Sequence, residues 1–226
     1  MGYFIIAGVM TLVGMFVSNR LKSKFAKYSR VPLVTRISGR EVAEQMLQYY
    51  GINNVQITQG TGVLTDHYNP VTRVVKLSPE IYNGQSVMAA AVAAHEVGHA
   101  VQHANAYPWL KMRSAIVPFV SMAATVQGFL LMFALGVTGG TGSQMILLIT
   151  IVAFMVTTGF ALITLPVEFD ASKRALVWLD EVNITRGAEY DGAKDALWWA
   201  AMTYVAKALS SLALLVYLMM RYSSSR

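Results

Sequence analysis

The sequence predicts a predominantly α-helical, multi-pass membrane protein with about four transmembrane helices and a small cytoplasmic α+β part. Of its 226 residues, 55% are hydrophobic and 13% are charged, whereas about 25% are charged in soluble domains. The apolar residues form long uncharged runs, as helices that cross a bilayer require. The net charge of +6 is explained by lipid contact and topology, so the lipid bilayer is an expected partner and nucleic acid is not.

Four apolar runs are assigned to the membrane. Residues 1–18 are predicted to form an N-terminal transmembrane anchor. Residues 114–166 are predicted to form a transmembrane hairpin, because the glycine-rich residues 139–142 separate two uncharged runs. Residues 196–220 are predicted to form a C-terminal transmembrane helix in which Lys207 snorkels or faces inward, with a partly interfacial helix as the alternative.

The distribution of basic residues predicts which side of the membrane each connecting segment occupies. Residues 19–113 contain 11 Lys and Arg and residues 167–195 contain 4, whereas residues 139–142 contain none. By the positive-inside rule, residues 19–113 and 167–195 are cytoplasmic and the N-terminus is external. The chain contains no cysteine, which excludes disulfides and thiolate ligands and fits a cytoplasmic site built from His and Glu.

Two histidines and a glutamate provide the clearest chemical signal. His95 and His99 are one helical turn apart, so their ring nitrogens can bind the same Zn2+. Glu96 can take a proton from the attacking water, which is the general-base role that the H-E-x-x-H pattern implies. The pattern therefore predicts a zinc hydrolase with a zincin-like cytoplasmic part, in which His95 and His99 are metal ligands and Glu96 is the catalytic base.

The motif is expected to lie on a helix over residues 87–104, with Ser86 as its N-cap. Gly98 would weaken this helix by about 1 kcal/mol, so another backbone or a substrate is expected to come close to it. Upstream, Ser38 begins a capping box that opens a helix ending near Gly51.

Catalytic zinc generally has three protein ligands and one open position. His103 cannot join both histidines, because residues i and i+8 of a straight helix are about 12 Å apart. It is expected to support a ligand, cap the helix or lie on the surface.

Glu168 is the predicted third ligand, since an even number of membrane crossings returns it to the side of the histidines; the alternative is an interfacial acid without a metal role. Asp170 is assigned to a supporting position beside a ligand or at a helix N-terminus.

Residues 55–59, 63–68 and 73–77 are predicted to be short strands, the last two joined through an Asn69-Pro70 turn. An exposed strand edge can bind an extended peptide by backbone hydrogen bonds. Either 63–68 or 73–77 is therefore the predicted substrate strand, and the residues assigned to it are Val63, Leu64, Thr65 and Asp66.

His67 follows these residues directly and is a candidate catalytic residue. Its ring could donate a hydrogen bond to a developing oxyanion. The alternative is that Asp66 and His67 only bond to the local backbone, as Asp often does in turns.

Four segments together resemble the YugP-type family of bacterial neutral zinc metallopeptidases. They are residues 62–70 (GVLTDHYNP), 73–78 (RVVKLS), 94–103 (AHEVGHAVQH) and 165–172 (LPVEFDAS). The family looks like a small relative of the HtpX-type membrane peptidases. In these enzymes the H-E-x-x-H helix and a later glutamate, separated by transmembrane spans, form the site.

The resemblance implies that His95, His99 and Glu168 are the zinc ligands. One position departs from the HtpX-like pattern, in which an acidic residue follows four positions after the ligand glutamate. Here that position is Ser172. Asp170 and Ser172 are therefore both candidates for the hydrogen-bond partner that orients a ligand histidine.

The leading hypothesis is a zinc metalloendopeptidase of the bacterial cytoplasmic (inner) membrane, with a site facing the cytoplasm and a protein or peptide substrate. Such a site suits quality control or processing of membrane proteins. One alternative is an intramembrane zinc protease, since residues 86–104 are rich in alanine. Another is a non-enzymatic membrane scaffold or regulator stabilised by zinc, which a fourth ligand would mark. The sequence leaves open the substrate and whether the chain forms homo- or hetero-oligomers.

Overall fold

The fold is taken from a computed structural model, which describes residues 2–134 and 144–224. The described residues form seven helices and three short strands. In chain order these are α1 (Gly2–Tyr28), α2 (Gly39–Tyr49), β1 (Gln56–Gln59), β2 (His67–Asn69), β3 (Val74–Leu77), α3 (Pro79–Asn83), α4 (Val87–Ala104), α5 (Pro108–Ala134), α6 (Gln144–Glu181) and α7 (Ala188–Ser224). The turn predicted at residues 139–142 lies outside the described residues.

Four helices are long and apolar enough to cross a membrane, namely α1, α5, α6 and α7. This confirms the prediction of about four helices able to span a membrane beside a small sheet. All four extend beyond the predicted spans, because α1 continues to Tyr28, α5 begins at Pro108, α6 continues through Pro166 to Glu181, and α7 covers Ala188–Ser224. A proline removes one helical hydrogen bond, but Val167 and Ala171 just beyond it are fully buried. Their packing holds the helix together across the proline.

Helices α1 and α7 run antiparallel along their lengths. At one end the rings of Tyr3 and Tyr217 lie 6.3 Å apart. At the other end Lys24 Nζ lies 2.7 Å from Asp195 Oδ2, and the Tyr28 hydroxyl donates to the same oxygen at 2.6 Å. Because α7 is paired with α1 at both ends, this arrangement favours a span over an interfacial helix for the C-terminal run.

Helix α4 occupies the centre of the part outside the four-helix bundle, and it packs against α2, α6 and α7. Its bounds confirm the prediction, and Ser86 Oγ accepts from the backbone N–H of Ala89 as an N-cap. The capping box at Ser38 is also confirmed. Most of α4 is buried, so its side chains are held in position by tertiary contacts rather than by helix propensity alone.

Gly98 marks a close approach between α4 and α6. A Cβ built at this position would lie 2.6 Å from the backbone oxygen of Ala171, well inside van der Waals contact. The expected close approach of another backbone is therefore confirmed. Without a side chain at residue 98, α6 can approach α4 closely enough to bring Glu168 toward the histidines.

Replacing Gly98 by alanine is expected to destabilise the protein by about 1–3 kcal/mol, because the added methyl group forces the two backbones apart. An ordinary helix interior would instead gain about 1 kcal/mol from this change. Gly128 of α5, where a Cβ would meet nothing within 4 Å, provides the matched control. Thermal unfolding in detergent should show a lower midpoint for G98A and an unchanged or higher midpoint for G128A; equal midpoints would contradict the packing argument.

The sheet has the order β1-β3-β2, with β1 parallel and β2 antiparallel to β3. The predicted hairpin between β2 and β3 is confirmed, and Asn69 Oδ1 accepts from the N–H groups of Val71 and Thr72 in its turn. The segment 73–77 was expected as a possible substrate edge. It supplies the central strand, so both of its sides are already paired and β2 is the edge near α4.

The prediction that Val63, Leu64, Thr65 and Asp66 form a strand is wrong. The chain bends there, with positive φ at Gly62 and Leu64. The Asp66 carboxylate also accepts hydrogen bonds from the backbone and side chain of Ser78, at 2.7 and 3.1 Å. These side-chain bonds stabilise a loop in place of a sheet ladder.

Candidate metal centre

Three potential ligands converge between α4 and α6. Glu168 Oε2 lies 3.4 Å from His95 Nε2 and 3.6 Å from His99 Nε2. The ligand atoms of the three residues all lie within 4.8 Å of one another, so they could hold one metal ion. Ligands of a tetrahedral zinc with bonds of about 2.1 Å are about 3.4 Å apart. The observed spacing therefore suits zinc.

Hydrogen bonds on the outer side of the rings determine which nitrogen faces the centre. His99 Nδ1 lies 3.1 Å from Gln102 Oε1, and His95 Nδ1 lies 3.1 Å from Ser172 Oγ. With each Nδ1–H as the donor, Nε2 keeps a lone pair, the arrangement that metal-binding histidines commonly have. Two nitrogen lone pairs and a carboxylate then face one another, which is unfavourable unless a cation or a shared proton lies between them.

The electrostatics of His99 agree with a site for positive charge. Burial of its ring would lower its pKa, but the hydrogen bond to Glu168 and the negative charges of Glu168 and Glu96 act in the opposite direction. The pKa is raised as a result. The carboxylate of Glu168 is itself almost completely buried, so little water is present to screen it. The donor set thus fits a divalent cation such as zinc.

Gln102 connects His99 to Asp170. Its side-chain nitrogen donates to the backbone oxygen of Val167 and to Asp170 Oδ2, both at 2.8 Å, which fixes Oε1 as the acceptor toward His99. Asp170 also accepts from Arg174 at 2.6 Å. Asp170 therefore reaches the histidine only through Gln102, and it lies inside α6 rather than at a helix N-terminus. Sequence analysis did not single out Gln102, although its position three residues after His99 was a usable signal.

Glu96 lies beside the three ligands and is buried within α4. Burial raises the pKa of its carboxyl, and the neighbouring charges of Glu168 and Asp66 add to this, while His95 and His99 oppose it. The side chain lines two cavities that meet at the centre. Glu96 is therefore a carboxyl group with a raised pKa that is in reach of a molecule bound there.

One of the two cavities, of about 230 Å3, is lined by His67, Arg113 and Tyr204 besides the centre itself. The Nδ1–H of His67 donates to the backbone oxygen of Thr65 at 2.8 Å. In the neutral ring, Nε2 then carries no hydrogen. His67 thus makes the predicted bond to local backbone and also lines the cavity, and its catalytic role stays a prediction.

Two further residues have positions that sequence analysis did not assign. Arg113 of α5 lies 3.6 Å from Glu168 Oε1, and Tyr204 of α7 lines both cavities. A charged residue near the start of an apolar helix was the available signal for Arg113, whereas Tyr204 lies well inside α7 and has no such signal. His103, in contrast, hydrogen-bonds through Nδ1 to the Tyr68 hydroxyl at 2.8 Å. This bond anchors β2 to α4 and does not support a ligand.

Comparison with known proteins agrees with this geometry. The sequence model of a family described as "Putative neutral zinc metallopeptidase" matches residues 3–223. The chain belongs to this family. It is also 40% identical over 209 residues to the "Putative membrane protease YugP" of Bacillus subtilis (strain 168), covering 92% of this chain and 90% of that protein. Both findings confirm the resemblance stated from the sequence motifs. No solved structure matches the protein.

Proposed function

We propose that this protein is an integral-membrane zinc endopeptidase that hydrolyses peptide bonds at the cytoplasmic surface of the bacterial inner membrane. The observation that carries the proposal is the convergence of His95, His99 and Glu168 beside the buried carboxyl of Glu96. The family to which the chain belongs, and the membrane protease it resembles, are described in terms that agree with this activity.

Zinc bound by His95, His99 and Glu168 would polarise the substrate carbonyl and acidify the attacking water. Glu96 takes a proton from that water as its oxygen bonds to the carbonyl carbon. The same carboxyl then delivers the proton to the leaving nitrogen as the C–N bond breaks, so one group serves as base and acid. The hydroxyl of Tyr204 lines the same space and is placed to donate a hydrogen bond to the carbonyl oxygen. The imidazole of His67 lines this space too, and it can donate to that oxygen only if its Nε2 also carries a hydrogen.

The number of ligands favours catalysis over a structural role for the metal. Within residues 2–134 and 144–224, the group at the centre has three members, whereas structural zinc sites have four protein ligands. His67 and His103, the other two histidines of the chain, bond to Thr65 and Tyr68 instead. A centre with three ligands beside two cavities is the arrangement that a hydrolase requires, and it disfavours the scaffold hypothesis.

Helix lengths support a site at the membrane surface. Glu168 lies 24 residues after Gln144, the first described residue of α6, which corresponds to about 36 Å of helix. The hydrocarbon core is about 30 Å thick. The basic end of α1 lies on the same side as the centre, because Leu21 and Phe25, which flank Lys24, line a cavity that also contains Glu168. By the positive-inside rule that side is cytoplasmic.

Among the described helices, α4 is not one of the four candidate spans. This favours a surface site over an intramembrane one. Substrates of such an enzyme are proteins whose chains emerge from the bilayer or lie close to it. Quality control or processing of membrane proteins is the role that follows from this position.

The direct test is cleavage of a fluorescently labelled unfolded protein by detergent-purified enzyme, with and without zinc. We expect cleavage by the zinc-loaded protein, loss of activity when a chelator removes the metal, and recovery when one equivalent of zinc is returned. Cleavage that persists after complete removal of zinc would contradict the proposal. Stoichiometric zinc without cleavage of any protein substrate would support the scaffold hypothesis.

The orientation can be tested with single cysteines, because the natural chain contains none. Val71 in the turn between β2 and β3 is 90% exposed, and Ser224 ends α7 at the opposite end of the bundle. In intact cells, a membrane-impermeant maleimide should label Ser224→Cys and should label Val71→Cys only after permeabilisation. Labelling of Val71→Cys in intact cells would place the centre outside the cytoplasm. If neither Val71→Cys nor Ser224→Cys is labelled in intact cells, α7 does not cross the membrane.

A further inference from the structure

A second cavity, of about 200 Å3, opens on the metal centre and differs in chemistry from the first. The two cavities share five residues around the centre, which are Asp66, His95, Glu96, Glu168 and Tyr204. Away from the centre the second cavity is lined by apolar side chains, which are Leu21, Phe25, Leu64, Met88, Val92 and Leu197. The first cavity instead contains Arg113 and His67.

The walls of this apolar cavity come from helices that are distant in the sequence. Leu21 and Phe25 lie on α1, Val92 lies on α4 one turn before the motif, and Leu197 and Ala200 lie on α7. The α1 and α7 walls are held together by the contacts of Asp195 with Lys24 and Tyr28. The cavity is therefore formed by the membrane helices together with the motif helix.

The charges near the cavity determine which side chain it can accept. Its lining includes no Lys or Arg, and its carboxylates, Asp66, Glu96 and Glu168, lie at the end next to the centre. Asp66 is already paired with Ser78, and the other two carry the proposed chemistry. An acidic side chain would be repelled by them and would lose water without gaining a partner. A large apolar side chain would gain free energy by burial, and it would fit a cavity of about 200 Å3.

We propose that this cavity is a specificity subsite that binds one large apolar side chain, such as Leu, Met or Phe, next to the bond that is cut. The inference rests on the proposed function, since it concerns a residue of the peptide held at the metal centre. It also predicts where the enzyme cuts, namely in apolar stretches of the kind found where a protein chain enters or leaves the bilayer.

The subsite can be tested with internally quenched peptides that differ at one residue, placed in turn on either side of the cut bond. We expect Leu and Phe at one of these two positions to raise kcat/KM by about tenfold or more over Asp, Lys or Ala. In Ala200→Leu the added side chain would fill the cavity. This variant should lose about tenfold or more on the Phe peptide but less than about threefold on the Ala peptide.

Ala124→Leu is the matched control, because Ala124 is exposed on α5, outside the cavity. It should keep the wild-type order of preference. Cleavage by wild type without apolar preference at either position would overturn the subsite and leave the proposed function intact. An equal loss of kcat/KM on all peptides in Ala200→Leu would also overturn the subsite.

A binding measurement separates failure of the subsite from failure of the proposed function. Zinc-chelating hydroxamates carrying a Leu or an Asp side chain can be titrated calorimetrically into zinc-loaded Glu96→Gln. We expect the Leu compound to bind about tenfold or more tightly, and Ala200→Leu should remove the difference. If no peptide is cut but the Leu compound still binds more tightly, the cavity binds apolar side chains as proposed and only the proposed function fails. Equal affinities for the two hydroxamates would overturn the subsite.

Discussion

Replacing Glu96 by glutamine is expected to lower peptide hydrolysis by about three orders of magnitude while leaving zinc content unchanged. The amide has nearly the same shape as the carboxyl, but it cannot accept a proton from water and deliver it to the leaving nitrogen. Glu96 is not a member of the ligand group, so its loss should not release the metal. The measurement is kcat/KM on a cleaved peptide, with zinc quantified in the same samples.

Glu44→Gln is the matched control for this substitution. Glu44 lies on the exposed face of α2, where it accepts from Arg40 at 2.6 Å, and it lines neither cavity at the centre. It should retain full activity and full zinc. If Glu96→Gln cut peptides at the wild-type rate, another group would have to move the proton and the proposed mechanism would be wrong. If it lost zinc, Glu96 would be a ligand or would be needed for the structure of the site.

Replacing Glu168 by glutamine should weaken zinc binding by more than about 100-fold and remove activity with it. The substitution keeps the volume of the buried side chain but removes the negative charge that faces His95 and His99 at 3.4 and 3.6 Å. Partners that only orient a ligand are worth about 10–100-fold in metal affinity, so a ligand should be worth more. Competition against a chromophoric zinc chelator measures the affinity.

Two variants calibrate this result. Ser172→Ala removes the hydrogen-bond partner of His95 Nδ1 and should weaken zinc by about 10–100-fold. Glu181→Gln, at the exposed end of the same helix, should leave zinc affinity unchanged. Wild-type affinity in Glu168→Gln, with the fold intact by circular dichroism, would show that the ligand set is different. Together with Glu96→Gln, these variants separate loss of the metal from loss of proton transfer.

Features that depend on local interactions could be predicted from the sequence. The helix bearing the motif has the predicted bounds and the predicted N-cap at Ser86, because the cap is a contact between residues three apart. The four membrane helices were predictable because a bilayer imposes length and composition on each span separately. The spacing of His95 and His99 placed both on one helix face without any tertiary information.

Features that depend on distant contacts could not be predicted in this way. The segment containing Leu64 has an apolar pattern that fits a strand, but bonds from Asp66 to Ser78 hold it in a loop. The hydrogen bonds that join His99 to Asp170 pass through Gln102. The spacing of three residues can indicate the bond from Gln102 to His99, but not the bond from Gln102 to Asp170, which depends on how α6 packs on α4.

The sequence by itself determined the membrane helices, the motif helix and the chemistry of its histidines and glutamate, because local spacing and composition specify these features. Only the tertiary structure decided which residues surround them. Gly98 allows α6 to pass within contact of α4, which places Glu168 opposite the histidines and Ser172 behind one of them. The same packing brings α1 and α7 to the centre and forms the apolar cavity there. Such positions are specified by the packing of whole helices, which no short segment of the chain contains.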